Sequence, residues 1–397
     1  MKVLLVNKYW YLRGGAEKVA ITTKEILEKN GHKVEIFGMK HPKNVFDRKY
    51  FSEYIDYNQP TSFFKKLIFS FRFVYNFEAK KQFEKVLDEF KPDIIHYHNI
   101  YHQLSFSLVS AAKKRNIPSV MTLHDYKIVH PNYTMYHHGK IDDKVYKNFS
   151  LRPFLSNCME GYFKSLLATK ELFVRKIFSL DKKIDLYLSP SKFLQKKMKE
   201  ADFENCKILR NPVFDKKPRF SHKEGDYVLY FGRFSKEKGL ENLVMAAKQN
   251  PDIPFVFVGT GPLFDTISKQ IKKENIKNIK LTGWKSGKVL EKYIRDARIV
   301  VLPSVWHENN PLSIIEAIGK SKLVLGTKLG GIPELLSSNK LFTQDNLAKK
   351  IRKWYFVNKG KRIEEEKKLF EKIVREYTHE NYYKKLLSYY NSLLQKK

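Results

Sequence analysis

The chain has 397 residues, 42% of them hydrophobic, and 75 lysines and arginines against 42 aspartates and glutamates, a formal net charge of +33. This length exceeds a single hydrophobic core and predicts two domains of about 150–200 residues, while the hydrophobic content excludes a disordered chain. Two cysteines, Cys158 and Cys206, exclude a disulfide framework and point to a reducing, cytoplasmic setting, and no apolar run reaches the roughly 18 residues that a spanning helix needs.

The N-terminal MKVLLVNKYW has too short an apolar run for a signal peptide and predicts a first strand, Lys2–Val6. Strands at Lys33–Phe37, Ile94–Tyr97, Ser119–Leu123 and Ile184–Leu188 continue the series, each followed by a turn and a helical pattern. A stretch without periodicity, Ile208–Asp226, carries prolines and charge and marks a break. A second series follows at Tyr227–Phe231, Pro254–Val258, Ile279–Leu281, Ile299–Leu302 and Lys322–Leu325. Near-continuous apolar strands alternating with helices predict an α/β protein with two Rossmann-like domains in tandem, residues 1–210 and 211–376. Ligands of such sheets bind beyond the C-terminal strand ends, so two edges facing each other would make an interdomain cleft.

The polar motifs sit at those ends. Gly14-Gly15 follows the first strand and precedes a helix expected from about Ala16; paired glycines let backbone amides approach an anion, although a plain βα turn explains them too. Phe63–Phe77 reads as a basic, aromatic amphipathic helix, which fits either a membrane surface or a helix buried on two sides. His96 and His98 share a strand face, and no third metal ligand stands near them. His124 closes a strand, where an imidazole can bond a sugar hydroxyl, move a proton or simply be structural. Arg233 and Lys238, on one loop bracketed by Gly232 and Gly239, suit a diphosphate.

In WHENNPLSIIEA, Asn310 is expected as the N-cap and Pro311 as the first helical residue. The amides of Leu312 and Ser313 would then face an anion. Glu308 precedes this tip and Glu316 lies about 7–8 Å along the helix from Pro311. A carboxylate towards each end of a diphosphate matches a nucleotide sugar.

Together and in this order, these motifs resemble those of the family 4 glycosyltransferases, retaining enzymes of the GT-B fold. Gly14-Gly15-Ala16-Glu17, His124, the Arg233–Lys238 loop, Gly259–Pro262, the Glu308-to-Glu316 element and Gly330–Glu334 carry the likeness. The resemblance implies that Arg233 and Lys238 neutralise a leaving diphosphate. Glu308 and the following Asn309, Asn310, Pro311 and Leu312 would hold the donor sugar, and Glu316 the ribose. His124 and Gly14-Gly15 would reach the donor from the first domain, whose His98 and Asn99 belong to the acceptor side. It also implies no catalytic metal or other cofactor, and a last helix, from about Tyr377, packing back on the first domain. Many members have Glu-Gly-Phe-Gly where this chain has Glu308-Asn309-Asn310-Pro311, which leaves the donor sugar open. Certain members carry several cysteines after the HDY segment; here His130 and a lone Cys158 follow it, so no metal or disulfide clamp is expected on that loop, and the role of Pro131–Ser179 is left open.

The basic excess is either a lysine-rich solvated surface or a face for polyanions. The partners expected are a nucleotide-sugar donor, a lipid-linked glycan acceptor of surface polysaccharide synthesis and the anionic inner face of the cytoplasmic membrane. Two rivals are a GT-B epimerase that hydrolyses its donor and a nucleic-acid-binding protein. The second is disfavoured because no recognised binding module appears.

Overall fold

The computed structural model describes residues 1–46, 48–57 and 70–395. Two compact units result: Met1–Pro212 with Tyr382–Lys397, and Val213–Asn381. Each is built on a six-stranded, all-parallel sheet.

The first unit uses β1 (Lys2–Val6), β2 (Lys33–Phe37), β3 (Ile94–Tyr97) and β4 (Ser119–Thr122). A small antiparallel hairpin, β5 (Tyr136–His137) and β6 (Lys140–Ile141), stands apart, and β7 (Leu186–Ser189) and β8 (Cys206–Ile208) return to the sheet. The order is β2-β1-β3-β4-β7-β8. β3, β4 and β7 are buried along their whole length, which is why they read as near-continuous apolar runs rather than alternating ones. β8 lies inside no expected strand: three residues at a sheet edge are too few to show a period. It also moves the start of the irregular stretch past Ile208.

The helix His379–Leu394 packs on this unit through tyrosines. Tyr382 Oη lies 2.8 Å from Thr23 Oγ1, Tyr389 Oη donates to the Ile208 carbonyl at 3.0 Å, and Tyr390 Oη lies 2.7 Å from His96 Nδ1. The segment belonging to this unit begins at Tyr382, because Tyr377 is buried in the core of the second.

The second unit uses β9 (Tyr227–Phe231), β10 (Phe255–Val258), β11 (Ile279–Leu281), β12 (Ala297–Leu302), β13 (Leu323–Thr327) and β14 (Leu341–Phe342). Their order is β11-β10-β9-β12-β13-β14, so strand order reverses between β9 and β12. In the first unit the reversal falls between β1 and β3. These switch points splay the following loops apart and open a crevice at the C-terminal edge.

Of the Phe63–Phe77 segment, residues 63–69 lie outside the described residues; residues 70–74 are helical. There Phe71 is exposed while Phe73 is buried, its ring 4.1 Å from that of His102. The described part therefore exposes one aromatic and buries another two residues on. No described helix is long and apolar enough to cross a membrane.

Candidate active site

In the second unit the motifs converge on the β9/β12 switch point. β9 ends at Phe231, and a 3-10 turn, Lys236–Lys238, carries the chain to Gly239. Gly239 has φ of +66°, and a Cβ there would collide with the Pro303 carbonyl oxygen, so the β9 loop lies directly on the loop after β12. The Val305 amide donates to the Glu237 carbonyl at 2.9 Å and ties the two loops together.

Glu308 is buried at this junction. Its Oε1 accepts from Lys238 Nζ at 2.7 Å and from Ser304 Oγ at 2.6 Å. Burial alone would push the carboxyl up, but the Lys238 charge and these two hydrogen bonds outweigh it and hold the carboxyl below the usual range. Lys238 Nζ also lies 5.2 Å from the centre of the Trp306 ring. The Glu308 carbonyl accepts from the Gly331 amide at 2.6 Å, and Gly330, at φ +59°, leaves no room for a Cβ against that same carbonyl. The GGIPE segment thus fixes the backbone that carries Glu308.

Arg233 is exposed and makes no ion pair among the described residues, while Lys238 is already paired. The two cations of the loop are therefore not equivalent. Sequence alone treated them as one diphosphate clamp.

The helix after β12 runs Leu312–Gly319, with Pro311 as its N-cap residue at φ −67° and ψ 112°. This corrects the expected cap by one residue. An extended ψ at Pro311 starts the helix only at Leu312, and Asn310 instead donates through Nδ2 to Tyr377 Oη at 3.0 Å. The first intrahelical bond runs from the Ile315 amide to the Pro311 carbonyl at 3.5 Å, so the amides of Leu312, Ser313 and Ile314 have no acceptor within the helix. Asn309 and Asn310 are buried and Glu316 is half-buried.

The first unit brings its histidines into one stack. The His96 and His98 rings lie 4.4 Å apart, and those of His98 and His124 5.3 Å apart with planes within 20°. His98 Nδ1 lies 3.0 Å from His124 Nε2, and His96 Nε2 lies 2.7 Å from Thr122 Oγ1. Burial depresses all three: His96 to about 3, His124 to about 4, and His98 well below its ordinary value. These are neutral imidazoles that give and take hydrogen bonds without carrying charge. His124 lies two residues past the end of β4 rather than closing it.

Beside the stack, His98 Nε2 and Asn99 Oδ1 are buried with no hydrogen-bond partner among the described residues. Gly14 and Gly15 are exposed; Gly14 is the N-cap residue, and the helix Gly15–Lys29 starts one residue before the expected Ala16. Asp125, which sequence reasoning passed over, is pushed up to about 6 by burial, although the Lys127 amide and the Lys8 and Lys127 charges pull the other way. Its position directly after His124 was the available signal. Ser304 was also missed, four residues before Glu308 and two past the end of β12. Among the described residues no group of three or more His, Cys, Asp or Glu side chains could hold a metal ion. Cys158 and Cys206 are free and buried, and the loop after β4 is held instead by Asp142, whose Oδ2 lies 3.4 Å from both His130 Nε2 and His137 Nε2.

Comparison with known proteins adds the family. The profile described as Glycosyltransferase Family 4 matches residues 13–213, and that described as Glycosyl transferases group 1 matches residues 214–373. A 42.6 kDa protein of the cps region of Klebsiella pneumoniae is 27% identical over 358 residues, covering 84% of this chain and 87% of its own. The O-antigen chain mannosyltransferase C of Escherichia coli is 23% identical over 346 residues, covering 86% and 83%. Among solved structures, Anabaena HepE in complex with UDP and glucose superposes with a TM-score of 0.66 at 18% identity, covering 99% of this chain and 100% of its own. Sucrose-phosphate synthase from Thermosynechococcus elongatus gives 0.71 at 15% identity, covering all of both chains. Two parallel-sheet units of this order, with matches along nearly the whole chain, make the protein a family 4 glycosyltransferase of the GT-B fold.

Proposed function

We propose that the protein moves a sugar from a nucleotide-diphosphate donor to a hydroxyl of a lipid-linked glycan, with retention at the anomeric carbon, in the synthesis of a surface polysaccharide at the inner face of the cytoplasmic membrane. The observation that carries this is the Arg233, Lys238 and Glu308 constellation at the β9/β12 switch point. It offers an unpaired guanidinium, a lysine with donors to spare beyond Glu308, and the free amides of Leu312 and Ser313 to a diphosphate. Glu308 would accept from donor-sugar hydroxyls, with the Asn309–Pro311 backbone beside it, and Glu316 from the ribose. His98, Asn99 and His124 would orient the acceptor hydroxyl, and the Gly14-Gly15 amides a donor oxygen. The cps-region and O-antigen proteins that resemble this chain support the polysaccharide setting, and the UDP in the Anabaena structure supports the donor class.

In the proposed step the acceptor oxygen bonds to the anomeric carbon on the face from which the phosphate oxygen departs. The hydroxyl proton passes to that phosphate oxygen, and a nucleoside diphosphate leaves. The charge that develops on it is stabilised by Arg233, Lys238 and the helix tip. No metal is needed in this scheme.

A thermal-shift screen of nucleoside diphosphates and nucleotide sugars comes first; at least one should raise the midpoint, and Arg233→Ala should remove the shift. The selected donor is then incubated with a lipid-linked glycan in the presence of EDTA, and NMR of the product reads the anomeric configuration. Transfer with retention is expected. Sugar released into water with the acceptor untouched would instead identify a donor hydrolase.

A further inference from the structure

The helix Tyr162–Ile177 in the first unit is amphipathic in the wrong sense for a water-facing helix. At about 100° per residue, Tyr162, Phe163, Leu166, Lys170, Phe173 and Ile177 fall in one stripe. That stripe faces outward: Tyr162 is 64% exposed, Phe163 55%, Phe173 43% and Ile177 59%. The opposite face buries charge. Glu171 Oε2 lies 2.6 Å from Lys127 Nζ, and the Arg175 guanidinium lies 5.4 Å from the centre of the Phe106 ring.

Neighbouring segments extend the apolar surface. Phe149 meets Phe173 at 5.1 Å between ring centres, Phe154 meets Tyr162 at 6.0 Å, and Leu151, Leu155 and Phe178 are exposed. Contiguous exposed aromatics of this kind mark an interaction surface. The charges around it are mainly basic, with Glu160 exposed at the helix's N-terminal end, where its Oε1 accepts from the His138 amide at 2.7 Å. Lys164, Lys170 and Lys182 are exposed and unpaired among the described residues. Between Gly161 and Lys183 the acidic residues are Glu171 and Asp181, both buried and both paired, Asp181 with Lys176 at 3.0 Å.

We propose that this face, the outer stripe of Tyr162–Ile177 with the Leu151–Leu155 turn, is where the protein docks on an anionic lipid bilayer. The aromatics enter the boundary between headgroups and acyl chains, and the lysines meet lipid phosphates. Self-association through the same face would bring the unpaired lysines of two copies together, so the charge pattern favours a lipid surface over a second copy. The biological use of this docking rests on the lipid-linked acceptor proposed above; the docking itself does not.

The full chain is sedimented with vesicles of phosphatidylcholine, with and without about one-third phosphatidylglycerol, and its partition coefficient measured. Binding should require phosphatidylglycerol and weaken with salt. The double variant Phe163→Ser/Phe173→Ser should lose at least about tenfold in partition. Lys164→Glu/Lys170→Glu should lose a comparable factor, each charge being worth several-fold near such a surface. These side chains are exposed, so circular dichroism and the thermal midpoint should be unchanged; Leu155→Ser/Ile177→Ser serves as a second test if either moves. Variants that bind as the parent does, or a parent indifferent to phosphatidylglycerol, overturn the proposal. So does a dimer in sedimentation velocity that Phe163→Ser/Phe173→Ser dissociates. Transfer to a water-soluble acceptor fragment should be unaffected by these variants. Loss of vesicle binding with that activity retained supports docking. Intact docking in a protein that transfers no sugar would overturn the proposed function alone.

Discussion

The C-terminal edges of the two sheets share a scaffold and differ in their electrostatics. Both place loops at a strand-order reversal, yet the first unit stacks neutral imidazoles beside Asp125 and the Lys8 and Lys127 charges, while the second sets a buried carboxylate and its lysine partner beside an arginine that makes no ion pair among the described residues. A stack of neutral, hydrogen-bonding imidazoles suits hydroxyls, which need orientation but no countercharge. A fixed-charge edge suits a diphosphate, whose leaving develops negative charge. One fold supports both tasks by changing only the loop at the end of each strand.

The strongest way to break this comparison is to remove the charged edge. Glu308→Gln should lower kcat/KM by about 100-fold or more, by analogy with loss of a single charge-stabilising group. It should also destabilise the second unit by about 2 kcal/mol, since Lys238 loses its buried partner. The double variant with Lys238→Met should cost less stability than the two single changes summed, as measured by urea denaturation. Additive costs would show that the ion pair does not organise the edge.

Arg233→Ala separates function from stability. Because Arg233 is exposed and makes no ion pair among the described residues, the variant's thermal midpoint should stay within the effect of about 0.5 kcal/mol typical of surface changes, while turnover falls about 100-fold. A drop in both would mean Arg233 is structural.

The two edges should also respond to acid in different windows. A histidine depressed below its unfolded value of about 6.5 is neutral when folded and protonated when unfolded, so its contribution is lost as pH falls from 6.5 towards the folded value. For His96 and His124 those folded values are about 3 and about 4, set by burial. Asp125, raised to about 6, works in the opposite direction between about pH 6 and 4 and offsets part of the loss. Glu308, depressed, loses its contribution only as pH falls below about 4.5. His96→Asn should therefore be less stable than the parent at pH 7, and the gap should narrow by about 1 kcal/mol per pH unit between pH 6.5 and 4.5. A gap independent of pH would show that His96 is not held neutral.

The smallest effect expected is from Tyr390→Phe, which removes one hydrogen bond to His96 and should cost about 1 kcal/mol. Hydrogen exchange should report that loss in the first unit and leave the second unchanged.

The strands legible in the sequence were those whose apolar run was long enough to show burial on both faces, as in Leu4–Val6 or Val228–Phe231. The ones it missed are β8 and β14, edge strands of three and two residues, and the two-residue hairpin strands β5 and β6. The residues around the β9/β12 switch point were legible because turn chemistry is local: glycine after a strand, asparagine and proline before a helix. The N-cap was misplaced by one because Asn310 found a tertiary partner in Tyr377, 67 residues away in the chain. The outward aromatic stripe of Tyr162–Ile177 was invisible as such, since periodicity shows that a face is apolar but not which way it points.

By itself the sequence determined the α/β architecture, the order of its motifs and the family, because hydrophobic period and loop composition are properties of neighbouring residues. Tertiary structure alone decided that Lys238 is paired with Glu308 while Arg233 is not, that three histidines from two strand ends stack and stay neutral, and that a helix turns its aromatics outward. Charge pairing, desolvation and exposure depend on neighbours across space, and no spacing along the chain encodes them.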